Sequence, residues 1–124
     1  NLTPTANLTF LGRLSLSEVQ DAIAASSALV ATSFREGLPT LVLEAMAQAR
    51  PIVALEEEGS AEALGHGDFG FLTPRDELSA LAETVEKAER DSKKPRLARE
   101  RALSEYDWRV VAPKLDAIYQ GATL

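Results

Sequence analysis

The sequence contains no cysteine and only one histidine, His66, among its 124 residues. Without cysteine there can be no disulfide bond, thiolate metal ligand or cysteine nucleophile, and a single imidazole is too few for a histidine-based metal site. We therefore expect no bound metal. Long apolar runs are also missing, because no stretch approaches the roughly 20 consecutive apolar residues that a membrane-spanning helix needs.

An excess of positive charge is equally absent. The chain has 13 basic and 19 acidic side chains, which gives a formal net charge of −6. Proteins that coat nucleic acid or an acidic membrane need a positive face, so we expect no nucleic-acid partner. The sequence shows no signal-peptide pattern, which predicts a cytoplasmic setting. Association with a membrane surface would then depend on a part of the protein outside this sequence.

Short apolar runs alternate with longer segments of helical periodicity, a pattern typical of a parallel α/β sheet. Each connection between strands has room for one helix. The predicted strands are 7–11, 28–32, 51–55 and 69–73, the predicted helices are 17–27, 40–49, 76–90, 95–106 and 107–120, and 56–68 is predicted as turns. The strands at 28–32 and 51–55 are apolar throughout, which predicts burial on both faces.

The length of 124 residues suits one hydrophobic core, so we expect a single domain over 1–124. The first helix can be capped by Ser15 or Ser17. The densest charge run, 87–101, mixes basic and acidic residues. Such mixed runs usually form a solvated helix face held by opposite-charge pairs.

The segment 33–54 (SFREGLPTLVLEAMAQARPIVA) places a glycine-bearing turn between a buried strand and a helix. In an open parallel sheet, ligands bind beyond the carboxyl ends of the strands, where a helix N-terminus attracts phosphate. The turn around Gly37 is therefore a candidate anion site. Glu44 follows Thr40 by one helical turn and could accept hydrogen bonds from sugar hydroxyls. The residues alone leave open that this is an ordinary helix start and that Glu44 is only solvated.

The same segment resembles the E-x7-E signature of retaining glycosyltransferases with the GT-B fold, especially family 4. Glu36 and Glu44 occupy the two glutamate positions. The resemblance continues, in the family's order, through 10–13 (FLGR), 59–64 (GSAEAL), 70–74 (GFLTP) and 106–108 (YDW). It covers nearly the whole chain. It implies a Rossmann-like, three-layer α/β domain that binds a nucleotide sugar and closes with C-terminal helices.

The resemblance also implies roles for individual residues. Glu36 would be catalytic and would contact the donor sugar, and Glu44 would bind the donor ribose. Glu62 would lie in a loop facing the donor cleft, and the turn at Gly12 and Arg13 would lie beside the nucleobase. The donor sugar and diphosphate would be held by Glu36, Gly37, Leu38, Pro39 and Thr40. The donor would be a UDP- or GDP-sugar, with no cofactor and no metal.

Two departures from the family pattern matter. Ala49 stands where glycine usually ends the helix, at a left-handed position that costs a non-glycine residue about 1 kcal/mol. The acceptor-binding N-terminal domain of the family, and the first strand and helix of its donor domain, have no counterpart in this sequence. We therefore expect a partial donor domain that is inactive alone, within a larger enzyme that transfers the sugar with retention of configuration.

Other readings of the sequence stay open at this point. The chain could be a non-catalytic nucleotide-binding module or an interaction module of the same fold. It could also belong to another GT-B enzyme, such as a sugar-nucleotide epimerase or a glycogen-type synthase, which the signature fits less well.

Overall fold

The computed structural model describes residues 7–121. Within that range, three parallel strands form one sheet in the order β1-β2-β3: β1 is Leu29–Ala31, β2 is Ile52–Leu55 and β3 is Phe71–Thr73. The register pairs Val30 with Val53 and Ala54 with Leu72. This confirms the predicted α/β class and the parallel sheet.

Helices connect and follow the strands. Their bounds are α1 Leu16–Ala25, α2 Thr40–Ala47, α3 Glu58–Ala63, α4 Leu81–Arg90, α5 Lys93–Arg101 and α6 Trp108–Gly121. Single 3₁₀ turns occupy Gly65–Gly67 and Leu78–Ala80, and a π-helical turn, Ala102–Tyr106, joins α5 to α6. The segment 56–68, predicted as turns alone, thus contains a short helix.

The first helix begins as the sequence predicts. The Ser15 hydroxyl accepts a hydrogen bond from the backbone N–H of Glu18, and the Glu18 carboxylate accepts one from the Ser15 N–H at 2.7 Å. This reciprocal capping box satisfies two N–H groups that would otherwise lack partners. The hydrogen bond from the Ser15 backbone N–H, and to a smaller extent the one with the Ser15 side chain, hold the pKa of Glu18 below its usual value. Of the two predicted caps, Ser15 is confirmed.

The core lies on both faces of β2, whose four residues are all buried. Neighbouring side chains of a strand point to opposite faces. Ile52 and Ala54 join a cluster with residues of α1, α2, α3 and α5. By alternation, Val53 and Leu55 point to the other face. Since α4 contacts β2 and β3 but contributes nothing to that cluster, α4 covers this second face.

Two sequence predictions about the strands are wrong. Residues 7–11 form no strand, and Phe10 and Leu11 are more than half exposed. An isolated extended segment gains no ladder hydrogen bonds, so β-propensity alone does not make it a strand. β1 is an edge strand of the described sheet rather than a fully buried one, and Val30 is 40% exposed.

The charge run at 87–101 is only partly a solvated face. Exposed pairs one helical turn apart link Lys87 to Glu83 and Arg96 to Glu100, as the sequence predicts. Two other cations of the run behave differently. Lys94 and Arg101 are partly buried and donate hydrogen bonds to distant backbone carbonyls. Lys94 donates to Gly67 and Gly70, between α3 and β3, and Arg101 donates to Glu62, within α3.

α6 is fixed at its start by Asp107. The Asp107 carboxylate accepts hydrogen bonds from the Arg109 guanidinium at 2.7 and 2.9 Å and from the Arg109 N–H at 2.8 Å. These contacts, the guanidinium first, lower the pKa of Asp107 to about 2. None of the α6 residues is buried.

The end of α2 tests the predicted left-handed position. Ala49 has φ of +52°, and a pair of hydrogen bonds closes the helix, from Arg50 N–H to the Ala45 carbonyl and from Ala49 N–H to the Met46 carbonyl, both 3.0 Å. This is a Schellman motif with alanine at the position that usually holds glycine. The predicted conformation is confirmed.

Ala49→Gly is expected to stabilise the protein. Relief of left-handed strain is worth about 1–2 kcal/mol, and the greater freedom of glycine in the unfolded chain cancels about 0.4–1 kcal/mol of it. Urea unfolding should therefore show a gain of roughly 0.5–1 kcal/mol. Ala47→Gly, two residues earlier in the helix, is the control and should lose about 1 kcal/mol. A loss in both variants would contradict the strain at Ala49.

Candidate functional site

A cleft of about 590 Å³ lies where the carboxyl end of β1 meets the N-terminus of α2. This is the edge of a parallel sheet at which ligands bind in open α/β proteins. The residues around it come from β1 and the loop that follows, from the first turn of α2 and from α3. They are Val30, Ala31, Thr32, Ser33, Glu36, Gly37, Leu38, Pro39, Thr40, Leu41, Val42 and Ser60.

The loop between β1 and α2 has an unusual backbone. Arg35 adopts φ of +57°, whereas Gly37 does not take a positive φ. A left-handed non-glycine residue costs about 1–2 kcal/mol, and such strain often occurs at functional sites. Beside it, the guanidinium of Arg75 lies 4.3 Å from the centroid of the Phe34 ring, a cation–π distance. The sequence predicted an anion site at the turn around Gly37, and the left-handed residue of that turn is Arg35.

The N-terminus of α2 opens into the cleft without a side-chain cap. Pro39 is the residue before the helix, and its carbonyl accepts hydrogen bonds from the N–H groups of Val42 and Leu43 at 3.1 and 3.2 Å. Among the residues that the structure describes, the N–H groups of Thr40 and Leu41 have no partner. Free N–H groups and the positive end of the helix dipole favour a bound anion at this point.

α3 closes the cleft from another side. The Glu57 side chain caps this helix by accepting a hydrogen bond from the Ser60 N–H at 2.9 Å. Gly59 packs directly against the preceding loop: a Cβ on Gly59 would overlap the Gly37 carbonyl oxygen and lie 2.5 Å from that of Glu36. Only glycine allows this approach of two backbone segments.

The predicted sugar and diphosphate residues are brought together. Glu36, Gly37, Leu38, Pro39 and Thr40 all line the cleft. The Glu36 side chain is exposed and makes no ion pair among residues 7–121. Its carboxylate is thus free to accept hydrogen bonds from a ligand. The roles assigned to these five residues stay predictions.

Glu44 lies elsewhere. It is half-buried in a second depression, of about 340 Å³, between α1 and α2. Gln20 and Asp21 of α1 lie in the same depression. The helix axis rises about 6 Å between Thr40 and Glu44. A ligand with its anionic end at the α2 N-terminus would therefore have to reach along α2 to meet this carboxylate.

The remaining predicted residues are not part of the cleft wall. Gly12 and Arg13 are exposed in the segment before α1, and Gly12 has φ of +69°. Glu62 is exposed on α3, and its backbone carbonyl accepts a hydrogen bond from Arg101 at 3.3 Å. Their roles at the nucleobase and at the donor cleft stay predictions.

Two features of the site were missed by sequence reasoning. Ser60 is part of the cleft wall although its neighbour Glu62 was the residue singled out. Lys94 and Arg101, which the sequence predicts to be solvated, instead contact the backbone near the cleft: Lys94 holds the segment that links α3 to β3, and Arg101 holds the Glu62 carbonyl in α3. The Lys94 ammonium donates to the carbonyls of Gly67 at 2.6 Å and Gly70 at 3.3 Å. The only sequence signal for Ser60 was its position within the quoted 59–64 motif.

Comparison with known proteins agrees with this geometry. Residues 1–105 match the sequence profile of the family described as glycosyl transferases group 1. That match covers most of the chain and includes every element around the cleft. The chain belongs to the glycosyl transferases group 1 family. The resemblance stated from the sequence is thereby confirmed at the level of the family.

Three proteins with different names are similar in sequence to this group 1 chain. It is 34% identical over 85 residues to a protein named putative glycosyltransferase EpsD from Bacillus subtilis, covering 68% of the chain and 22% of that protein. It is 31% identical over 118 residues to the glycogen synthase of Mycobacterium tuberculosis, covering 91% of the chain and 28% of that protein. It is 30% identical over 92 residues to the phosphatidyl-myo-inositol mannosyltransferase of Mycobacterium leprae, covering 68% and 24%. The chain thus spans about a quarter of the length of these relatives.

Within residues 7–121, no group of three or more histidine, aspartate or glutamate side chains lies close enough together to hold a metal ion. No helix in the same range is both long and apolar enough to cross a membrane.

Proposed function

We propose that this chain is the nucleotide-sugar-binding part of a glycosyltransferase. The observation that carries the proposal is the combination of groups in one cleft. An uncapped helix N-terminus, with the N–H groups of Thr40 and Leu41 unpaired among the described residues, lies beside the unpaired carboxylate of Glu36. The first group suits an anion and the second suits hydroxyls, and a sugar diphosphate presents both.

The arrangement suits the chemistry of sugar transfer. When the bond between the sugar and the diphosphate breaks, negative charge gathers on the leaving nucleoside diphosphate. Preorganised N–H groups and a helix dipole stabilise charge where it develops. Glu36 would accept hydrogen bonds from the sugar hydroxyls and orient the ring. The donor's own phosphate would take the proton of the acceptor, and the product would keep its anomeric configuration.

The remainder of the donor would extend along α2. In this proposal, Glu44 binds the ribose hydroxyls of a UDP- or GDP-sugar, and the base lies toward Gly12 and Arg13. The depression that contains Glu44 supports this, because it adjoins α2 and has room beside the carboxylate. No cofactor or metal enters the reaction.

Selection of the acceptor belongs, in this proposal, to a part of the enzyme outside this chain. The relatives are named for glycogen synthesis and for mannosyl transfer to phosphatidyl-myo-inositol, which are chemically unlike acceptors. Because this one chain is similar to both, we propose that it carries the donor function and that an N-terminal acceptor domain selects the acceptor. Because the chain is as similar to a glycogen synthase as to the mannosyltransferase, the comparisons support a glycogen-type synthase as well as they support other group 1 enzymes.

Calorimetric titration of UDP, GDP, ADP and their common sugars tests the proposal. One nucleotide series should bind the wild-type chain, and at a hundredfold excess over Kd it should stabilise the fold by about 2.7 kcal/mol. Glu44→Ala should lower the affinity for that nucleotide about 10- to 100-fold, since hydrogen bonds to a charged group contribute about 1.5–3 kcal/mol. Glu86→Ala, which removes an exposed glutamate of α4, is the charge-matched control and should bind normally.

The outcomes separate the parts of the proposal. Binding that is unaffected by Glu44→Ala would contradict the ribose role of Glu44 and leave the donor cleft intact. If no nucleotide binds or stabilises the folded wild-type chain, the donor-binding function is wrong for this chain.

A further inference from the structure

Ser60 is a polar residue in an unexpected place. It lies in α3 and in the wall of the cleft, yet only 4% of its surface is exposed. Its backbone N–H is satisfied by the Glu57 carboxylate. A buried hydroxyl normally has a hydrogen-bond partner, because an unmade hydrogen bond costs about 1–3 kcal/mol.

The Ser60 hydroxyl has no such partner in the described part of the chain. Helical serine and threonine often donate to the carbonyl one turn earlier, as Thr84 does to Ala80 at 2.9 Å. Ser60 makes no equivalent bond. It also differs from Thr73, whose hydroxyl is sealed from solvent and unpaired. The Ser60 oxygen is not among the sealed, unpaired atoms of the described residues, and Ser60 lines the cleft, so we infer that the remaining exposure of this oxygen is toward the cleft.

The position of Ser60 indicates which part of a ligand it would meet. The preceding residue, Gly59, packs on the carbonyl oxygens of Glu36 and Gly37. Ser60 therefore directly follows a residue that contacts the backbone of Glu36 and Gly37. A carboxylate repels phosphate, so the ligand group beside Glu36 is neutral and rich in hydroxyls. The phosphates belong at the N–H groups of Thr40 and Leu41.

We propose that Ser60 is a specificity-determining residue that hydrogen-bonds a hydroxyl of the donor sugar. The inference rests on the proposed function, because it assigns a group to a donor in the same cleft. Ser60 and Glu36 form two sides of the sugar position. A serine hydroxyl both donates and accepts, so it can pair with a sugar hydroxyl that Glu36 leaves unpaired. A sugar that lacks a hydroxyl at that point leaves the buried oxygen unpaired and is disfavoured.

The test compares Ser60→Ala with wild type in titrations of a nucleoside diphosphate and of the corresponding nucleotide sugar. The base is the one that binds wild type best among UDP, GDP and ADP. Ser60→Ala should bind the nucleotide sugar about 3- to 10-fold more weakly, the usual worth of one neutral hydrogen bond. Its affinity for the plain diphosphate should not change. Ser79→Ala, an exposed serine away from the cleft, is the control and should match wild type with both ligands.

Thermal unfolding without ligand supplies a second readout. Alanine has the higher helix propensity, and the change removes an unpaired buried hydroxyl. Ser60→Ala should therefore unfold at the same temperature as wild type or higher. A lower Tm, or equal weakening of the diphosphate and the nucleotide sugar, would mean a structural role and would overturn the proposal. So would unchanged affinity for the nucleotide sugar, with the donor function intact. A wild-type chain that binds neither ligand would overturn the donor function, and this inference with it.

Discussion

Gly59→Ala is expected to lower the free energy of unfolding by about 2–3 kcal/mol, because it forces a methyl group into a closed backbone contact. The new Cβ would overlap the Gly37 carbonyl oxygen and lie 2.5 Å from the Glu36 carbonyl oxygen. Neither oxygen belongs to a flexible side chain, so α3 or the loop must move. In an ordinary helix the same change would stabilise by about 1 kcal/mol. The sign of the effect therefore tests the contact itself.

Thermal and urea unfolding would measure the loss, at about 4 °C of Tm per kcal/mol for a chain of this size. Gly37→Ala is the matched control. It lies in the same contact, but a Cβ at Gly37 meets no atom within 4 Å and its φ is not positive. It should leave the stability unchanged or slightly raised. A Gly59→Ala protein as stable as wild type would show that α3 does not pack against the Glu36 loop.

Lys94→Met is expected to cost about 2 kcal/mol, the usual worth of hydrogen bonds from a charged donor. The Lys94 ammonium joins α5 to the carbonyls of Gly67 and Gly70 and lies 4.2 Å from the centroid of the Phe71 ring. Methionine keeps much of the aliphatic stem but donates nothing, so both carbonyls lose this partner. Gly70 is buried, where water replaces a lost donor poorly.

Lys93→Met is the control for that variant. Lys93 is the exposed neighbour of Lys94 in α5, and among the described residues its side chain makes no hydrogen bond or ion pair. Its replacement should change stability by less than about 0.5 kcal/mol. Equal losses in the two variants would indicate a general effect of charge on α5. A loss of stability confined to Lys94→Met would establish that Lys94 links α5 to the Gly67 and Gly70 carbonyls before β3.

Local patterns predicted much of this chain well. The capping serine of α1, the buried β2 strand and the start of α2 follow from neighbours within a few residues. The left-handed Ala49 follows from the resemblance to the family pattern. The motif at 33–54 carried the family resemblance by the same kind of local spacing, because it spans one loop and one helix. The structure places Glu36 to Thr40 around one cleft, and this placement follows from the connection between β1 and α2 alone.

The errors share a different cause. The 7–11 segment has the residues of a strand, but a strand needs a neighbour, and none pairs with it among the described residues. Lys94 and Arg101 lie in a mixed charge run, yet they meet backbone carbonyls distant in sequence.

The sequence by itself determined the family, the parallel α/β plan and the loop that lines the cleft. These depend on periodicity and on short motifs, which are local properties. Only the tertiary structure decided that Gly59 and Ser60 complete the cleft, because contacts between α3 and the Glu36 loop join segments more than twenty residues apart. A buried, unpaired hydroxyl has no signature in sequence. Whether a hydroxyl is buried and lacks a hydrogen-bond partner depends on the elements packed around it, which only the folded structure shows.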